Sequence, residues 1–131
     1  MPLLIILDGL VVVAIDIFMD PIMVYQKKWL WENGGSYFNV PVSNFIGWFI
    51  VTISATGIFR TIEYFYPQKT PQFNKSIYLI PLFGYTSMWF LFFISSLQIH
   101  LPQLALIGTL AMLPTIIINL IHFVYSKFSL K

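Results

Sequence analysis

Four long apolar segments constrain the fold of this chain more than any other feature of its sequence. They cover about residues 3–19, 42–59, 76–97 and 101–125. Each has about 17 to 25 residues, the length that a helix needs to cross the roughly 30 Å hydrocarbon core of a bilayer. Strands are a poor alternative, because an open sheet leaves backbone groups unsatisfied in lipid and four strands cannot close a barrel. The sequence therefore predicts an all-α integral membrane bundle of four transmembrane helices.

The composition favours a single membrane domain over residues 1–131. Hydrophobic residues make up 58% of the chain and charged residues 9%, whereas soluble domains average about 45–50% and about 25%. A net charge of +2 gives no basic field for nucleic acid, so membrane lipid is the expected surrounding and nucleic acid is not an expected partner. The absence of cysteine excludes disulfides and thiolate metal sites.

The first segment is expected to remain as a membrane span rather than to act as a signal peptide. It lacks a positive leading region and a small-residue cleavage site, and it carries Asp8 and Asp16 inside its apolar run. Because a proline disfavours helix in the residue before it, Asp20-Pro21 predicts the end of this helix.

The basic residues predict the orientation in the membrane. One side of the predicted topology carries Arg60, Lys69, Lys75, Lys127 and Lys131, and the other carries only Lys27 and Lys28. The positive-inside rule then places both termini in the cytoplasm and the link over residues 20–41 outside. We expect a multi-pass protein of the cell (plasma) membrane.

Three aspartates share one face of the first helix. At 100° per residue, Asp8, Asp16 and Asp20 fall within an arc of about 120°. An aspartate near the bilayer centre costs about 2.5–3.5 kcal/mol on insertion scales, so these side chains should face other helices. Burial and like charge both disfavour the charged form, and at least one carboxyl should keep its proton near neutral pH. The alternative role is packing, with hydrogen bonds to Ser, Thr or Asn of neighbouring helices.

Two features of the second segment have structural interpretations. A stripe of small residues is typical of helix packing in membranes, and Arg60 and Glu63 at its far end are expected to form a surface ion pair. The stripe comprises Ser43, Gly47, Ser54 and Gly57.

Aromatic residues crowd the link beside the carboxylates. They are Trp29, Trp31, Tyr37, Phe38 and Trp48. An interfacial aromatic belt would explain them without any chemistry. Their density beside acidic groups also suits a pocket that stabilises a cation, because aromatic faces attract positive charge.

One motif spans the link and both helix ends beside it. It consists of Asp20-Pro21, Trp29 and Trp31, Tyr37-Phe38, Val40-Pro41, Asn44-Phe45 and Gly47-Trp48. This pattern closely resembles the signature of the integral-membrane carotenoid biosynthesis protein family, which includes carotenoid hydratases. Residues 60–131 fit that family only by hydropathy. Family members are about twice as long, so the resemblance implies the C-terminal half only and a second chain as partner, either the missing N-terminal half or another copy.

The resemblance implies an enzyme that hydrates the terminal C=C bond of an acyclic carotenoid or related isoprenoid. Protonation of a trisubstituted alkene gives a tertiary cation that water captures, and this step needs neither cofactor nor metal. A carboxylic acid kept neutral by its surroundings can supply the proton. Asp16 and Asp20 are the expected acid and base, and Asn44 is expected to orient water. Trp29, Trp31 and Tyr37 are expected to stabilise the cation, with Phe38 and Trp48 also binding substrate.

Two other functions stay open. The chain could be a non-catalytic membrane scaffold or the half-subunit of a split enzyme. It could also resemble a magnesium-dependent prenyltransferase, because Asp-x-x-x-Asp on a membrane helix is one way to hold magnesium and a diphosphate. That chemistry needs a second acidic cluster and basic residues for the phosphates, which the sequence does not offer convincingly.

Overall fold

The chain is helical throughout its long apolar segments. The structure, a computed structural model, describes residues 2–67 and 75–128. Its elements are α1 (Pro2–Tyr25), α2 (Val42–Phe65), a short 3-10 turn (Lys75–Tyr78), α3 (Leu79–Gln98) and α4 (Pro102–Phe128). All four α-helices are long and apolar enough to cross a membrane. The prediction of an all-α, multi-pass membrane protein is confirmed. Lys69 and Lys131, which entered the count of basic residues, lie outside the described residues.

The helices pack in two pairs that belong to two compact units, Met1–Gln72 and Phe73–Lys131. In the first unit α1 packs along α2, and in the second α3 packs along α4. The second unit is fastened by a hydrogen bond from the Trp89 indole to the Thr109 hydroxyl, 3.1 Å long. Between these two helices the chain reverses in a tight connection, where His100 adopts a positive φ of 58°.

Helix α1 is longer than the sequence predicts. The expected end at Asp20-Pro21 is wrong, because Pro21 lies inside the helix, which continues to Tyr25. The real end is a Schellman motif, in which Lys27 takes a φ of 55° and the Lys28 amide bonds to the Met23 carbonyl at 3.0 Å. Because a proline has no N–H, it removes only one helical hydrogen bond, the one to the carbonyl of Ile17. That carbonyl accepts a hydrogen bond from the Tyr37 hydroxyl instead.

A close approach between α1 and α2 occurs at a glycine of α1. A Cβ atom on Gly9 would lie 2.7 Å from the Phe49 ring and 2.8 Å from Ile53. The small-residue stripe expected on α2 contributes little to this packing. A Cβ atom on Gly47 would meet nothing within 4 Å, and one on Gly57 would meet only Ile5, at 3.8 Å. Within the α1–α2 pair the stripe is therefore not the main packing face, because the large side chains Phe49 and Ile53 of α2 lie against Gly9 of α1.

Candidate functional site

Asp16 and Asp20 lie on consecutive turns of α1, near its C-terminal end. Only 4% of Asp16 and 3% of Asp20 is exposed. Four residues of helix separate them by about 6 Å along the axis. The prediction that these two side chains face protein rather than lipid is confirmed, and the structure brings two buried carboxyl groups into one region.

Asp20 is held by Asn44, which lies in the first turn of α2. The Asn44 amide nitrogen donates a hydrogen bond of 2.5 Å to Oδ2 of Asp20. This contact joins the end of α1 to the start of α2 across 24 residues of sequence. The structure thus brings together two of the residues expected to act on water, through a neutral amide rather than through a cation.

Asp16 differs from Asp20 in its hydrogen bonding. Its Oδ2 atom is buried and accepts no hydrogen bond from any residue that the structure describes. Buried polar atoms in proteins nearly always have a partner, and leaving one unpaired costs about 1–3 kcal/mol. An exception of this kind on a carboxyl group is typical of a functional position.

Asp8 does not belong to this carboxyl pair. Its Oδ2 accepts hydrogen bonds from Nε of Arg60 at 3.0 Å and from Nη2 at 2.8 Å. Asp8 contacts another helix, as predicted, but its partner is arginine rather than Ser, Thr or Asn. The predicted Arg60–Glu63 pair is wrong, because Arg60 pairs with Asp8 across the helices. An arginine neutralises the aspartate among apolar side chains, which a hydroxyl or amide cannot do.

Metal ligands are not gathered in the described part of the chain. Over residues 2–67 and 75–128, no three His, Asp or Glu side chains are close enough to share one ion.

An open groove lies beside Asn44, the residue that bonds to Asp20, and neither Asp16 nor Asp20 lines it. It has a volume of about 450 Å³. Its lining residues are Trp31, Ser43, Asn44, Gly47, Trp48 and Val51. The groove thus contains two of the predicted aromatic residues, and the Trp31 indole N–H is buried without a partner among the described residues. Trp29 lines no part of this groove, and 38% of it is exposed.

Tyr37 makes a contact that the sequence analysis missed. Its hydroxyl donates a 3.0 Å hydrogen bond to the backbone carbonyl of Ile17, between the two aspartates. Its ring meets Phe38 and Phe45 edge-on, at centroid distances of 4.9 Å and 5.5 Å. Burial raises the pKa of Tyr37 to about 12. A sequence signal existed for this contact, since Pro21 stands four residues after Ile17 and cannot bond to it.

A tight turn presents Tyr37 to α1. Phe38 and Asn39 take φ values of 47° and 64°, as in a type I′ turn. Tyr37 and Val40 exchange backbone hydrogen bonds of 3.3 Å and 2.7 Å across the turn, and Val40 is fully buried. Gly35 is required here, because a Cβ atom on it would overlap the backbone of Val40.

The chain also matches a known protein family. The family model described as carotenoid biosynthesis protein matches residues 3–114. That range includes the whole motif from Asp20 to Trp48 and continues into α4. No curated protein and no solved structure matches the chain. Since the match covers most of the sequence, the chain belongs to the carotenoid biosynthesis protein family.

Proposed function

We propose that this membrane protein hydrates the terminal C=C bond of an acyclic carotenoid by acid catalysis. One observation carries the proposal: two buried carboxyl groups lie one helical turn apart with no ion pair among the described residues, one bonded to an amide and the other with an unpartnered oxygen. Membership of the carotenoid biosynthesis family supplies the substrate class. We also propose the cell membrane as its location.

The reaction divides into two proton transfers and one bond to oxygen. The acid gives a proton to the less substituted carbon of the trisubstituted alkene, which forms a C–H bond and leaves a tertiary cation. A water molecule adds to the cation through its oxygen, and the base removes the extra proton. The product is a tertiary alcohol heavier by one water. Atoms and charge balance without an oxidant or a reductant.

Asp16 is the better candidate for the acid. A buried oxygen without a partner is tolerated far better on a neutral carboxylic acid than on a carboxylate, whose desolvation is much more costly. A carboxylic acid in an apolar site can remain neutral and act as a proton donor. Asp16 is therefore the acid whose proton the π electrons of the alkene take up, which leaves a carboxylate on Asp16 beside the cation.

Asp20 and Asn44 then activate and orient the attacking water. The Asn44 amide stabilises negative charge on Oδ2 of Asp20 by its hydrogen bond. The second oxygen of Asp20 can take a proton from the attacking water, and the carbonyl oxygen of the Asn44 side chain can accept a hydrogen bond from it. General acid and base assistance of this kind contributes about 10²–10⁴-fold to a rate.

The aromatic groove receives the end of the substrate in this proposal. Trp31 and Trp48 line it beside Asn44. Their ring faces favour a hydrocarbon chain and stabilise a carbocation. Tyr37 and Phe38 support the site from the turn.

The prenyltransferase alternative gains nothing from these contacts. It needs basic residues free to bind a diphosphate, but Arg60 binds Asp8 instead. No contact in the described residues favours a scaffold over an enzyme, and pigment analysis separates all three functions.

The test is extraction of pigments from a host that makes acyclic carotenoids, with and without this chain. Hydration predicts a new pigment heavier by the mass of one water. A pigment heavier by an isoprene unit would indicate prenyl transfer. Unchanged pigments from membranes that contain the folded chain would contradict the proposal and favour the role of a membrane scaffold. The Glu63→Gln variant, altered at an exposed carboxylate of α2, is the matched control and should behave as the wild type.

A further inference from the structure

Helix α1 contains a backbone defect between its two buried aspartates. In an α-helix the carbonyl of residue 17 accepts a hydrogen bond from the amide of residue 21. Residue 21 is a proline inside the helix, so it has no N–H to donate. The Ile17 carbonyl lies one residue after Asp16, and Pro21 lies one residue after Asp20. The defect therefore falls within the turn that spaces the two carboxyl groups.

The Tyr37 hydroxyl occupies the position of the missing donor. It bonds to the Ile17 carbonyl at 3.0 Å, across 20 residues of sequence. The type I′ turn at Tyr37–Val40 and the edge contacts with Phe38 and Phe45 fix the direction of the ring. Because burial raises its pKa to about 12, the hydroxyl keeps its proton and remains a donor at any physiological pH.

We infer that Tyr37 is a positioning residue: by replacing the backbone donor that Pro21 removes, it holds the turn of α1 that sets Asp16 and Asp20 against Asn44. We call this contact the Ile17–Tyr37 clasp. A helix that lacks one of its bonds bends at that place unless another group satisfies the carbonyl. Tyr37 thus acts through α1 and need not touch the substrate. The consequence for turnover rests on the proposed hydration, whereas the consequence for folding does not.

A double-mutant cycle tests the clasp itself. Tyr37→Phe removes the donor and keeps the ring, while Pro21→Ala restores a backbone N–H at residue 21. In the full chain in detergent or nanodiscs, Tyr37→Phe should lower the folding equilibrium constant by roughly 2- to 10-fold, the usual effect of one hydrogen bond. In the Pro21→Ala background the same change should have almost no effect, because the restored N–H of residue 21 then bonds to the Ile17 carbonyl.

The control for this cycle is Tyr25→Phe. Tyr25 ends α1 and 55% of it is exposed, so its hydroxyl should not matter in either background. An equal loss from Tyr37→Phe with and without Pro21→Ala would overturn the clasp, and so would a Tyr37→Phe variant as stable as Tyr25→Phe.

Turnover tests the positioning role. At matched levels of folded protein, Tyr37→Phe should lower kcat with little change in KM, since the groove is intact. Adding Pro21→Ala should recover most of that loss, which a general packing defect would not allow. Unchanged kcat in Tyr37→Phe would overturn the positioning role. A coupled effect on folding in a chain that hydrates no carotenoid would leave the clasp standing and refute the proposed function.

Discussion

The carboxyl groups at the two ends of the α1–α2 pair differ in their burial and in the charge of their hydrogen-bond partners. Near the start of α1, Asp8 receives two hydrogen bonds from Arg60, and both side chains remain partly exposed, at 32% and 27%. Near the end of α1, Asp16 and Asp20 are almost fully buried, and the side-chain donor beside them is an amide. Within the described part of the chain, one aspartate thus has a counter-charge and two lack one.

This difference distinguishes Asp8, an aspartate with a structural role, from the Asp16–Asp20 pair, for which we propose a catalytic role. An aspartate paired with arginine can remain in a membrane helix without any further role, because the pair lowers the cost of the charge. A buried carboxyl group without a cation is costly, and such groups in membrane helices usually mark a functional site. From this comparison we propose a stabilising role for the Asp8 end and a catalytic role for the Asp16–Asp20 end.

The largest expected effect comes from replacing a carboxyl group of the Asp16–Asp20 pair by an amide. Asp16→Asn or Asp20→Asn should lower hydration by at least about 10²–10⁴-fold, because an amide cannot deliver or accept the proton. The protein should insert as well as the wild type, since a neutral amide costs about as much to bury as the neutral acid of Asp16 and less than the carboxylate of Asp20. Product formation by membranes with matched protein levels measures this, with Glu63→Gln as the control. If both variants keep near-normal turnover, the carboxyl pair is not catalytic.

Asn44→Leu should have the next largest effect. This change removes the hydrogen bond that the Asn44 amide donates to Asp20. A hydrogen bond to a charged group contributes about 1.5–3 kcal/mol. We expect a fall of about 10- to 100-fold in turnover. The control is Asn119→Leu, because Asn119 is exposed and donates to the Thr115 carbonyl of its own helix. Equal turnover in the two variants would argue against a role of Asn44 in catalysis.

Arg60→Gln should affect stability instead of chemistry. It leaves Asp8 without a counter-charge, and because the pair is partly exposed the loss should be about 1–2 kcal/mol in the free energy of unfolding. Adding Asp8→Asn should recover most of it. Thermal unfolding of the purified chain in detergent measures both variants. A loss of turnover per folded molecule without any loss of stability would place Arg60 in the active site and contradict the structural role of the Asp8–Arg60 pair.

Sequence reasoning predicted the helices and the inward direction of Asp16 and Asp20, because hydropathy and insertion cost act on each segment alone. It could not assign Arg60 to Asp8, since 52 residues separate them and Glu63 stands closer in sequence. It also ended α1 too early. The rule for prolines is local, whereas the donor that satisfies Ile17 comes from a distant turn.

Alkaline pH should have the smallest effect. Because the pKa of Tyr37 is raised from 10.0 to about 12, the folded chain keeps a proton that the unfolded chain releases above pH 10. The free energy of unfolding should therefore fall as pH rises from about 10 to 12, and this residue should add no slope below that range. Tyrosinate absorbance and denaturant unfolding measure it. Tyr37→Phe should remove this contribution and Tyr25→Phe should not; the reverse result would contradict burial of Tyr37.

The most direct test of the carboxyl pair follows the atoms of the added water. Membranes with the wild-type chain, Asp16→Asn or Asp20→Asn are given an acyclic carotenoid in water labelled with deuterium or with oxygen-18, and the products are analysed by mass. We predict that only the wild type forms the alcohol at a normal rate, with its oxygen from water and one deuterium retained on carbon. Oxygen from O₂, or normal conversion by both asparagine variants, would contradict it.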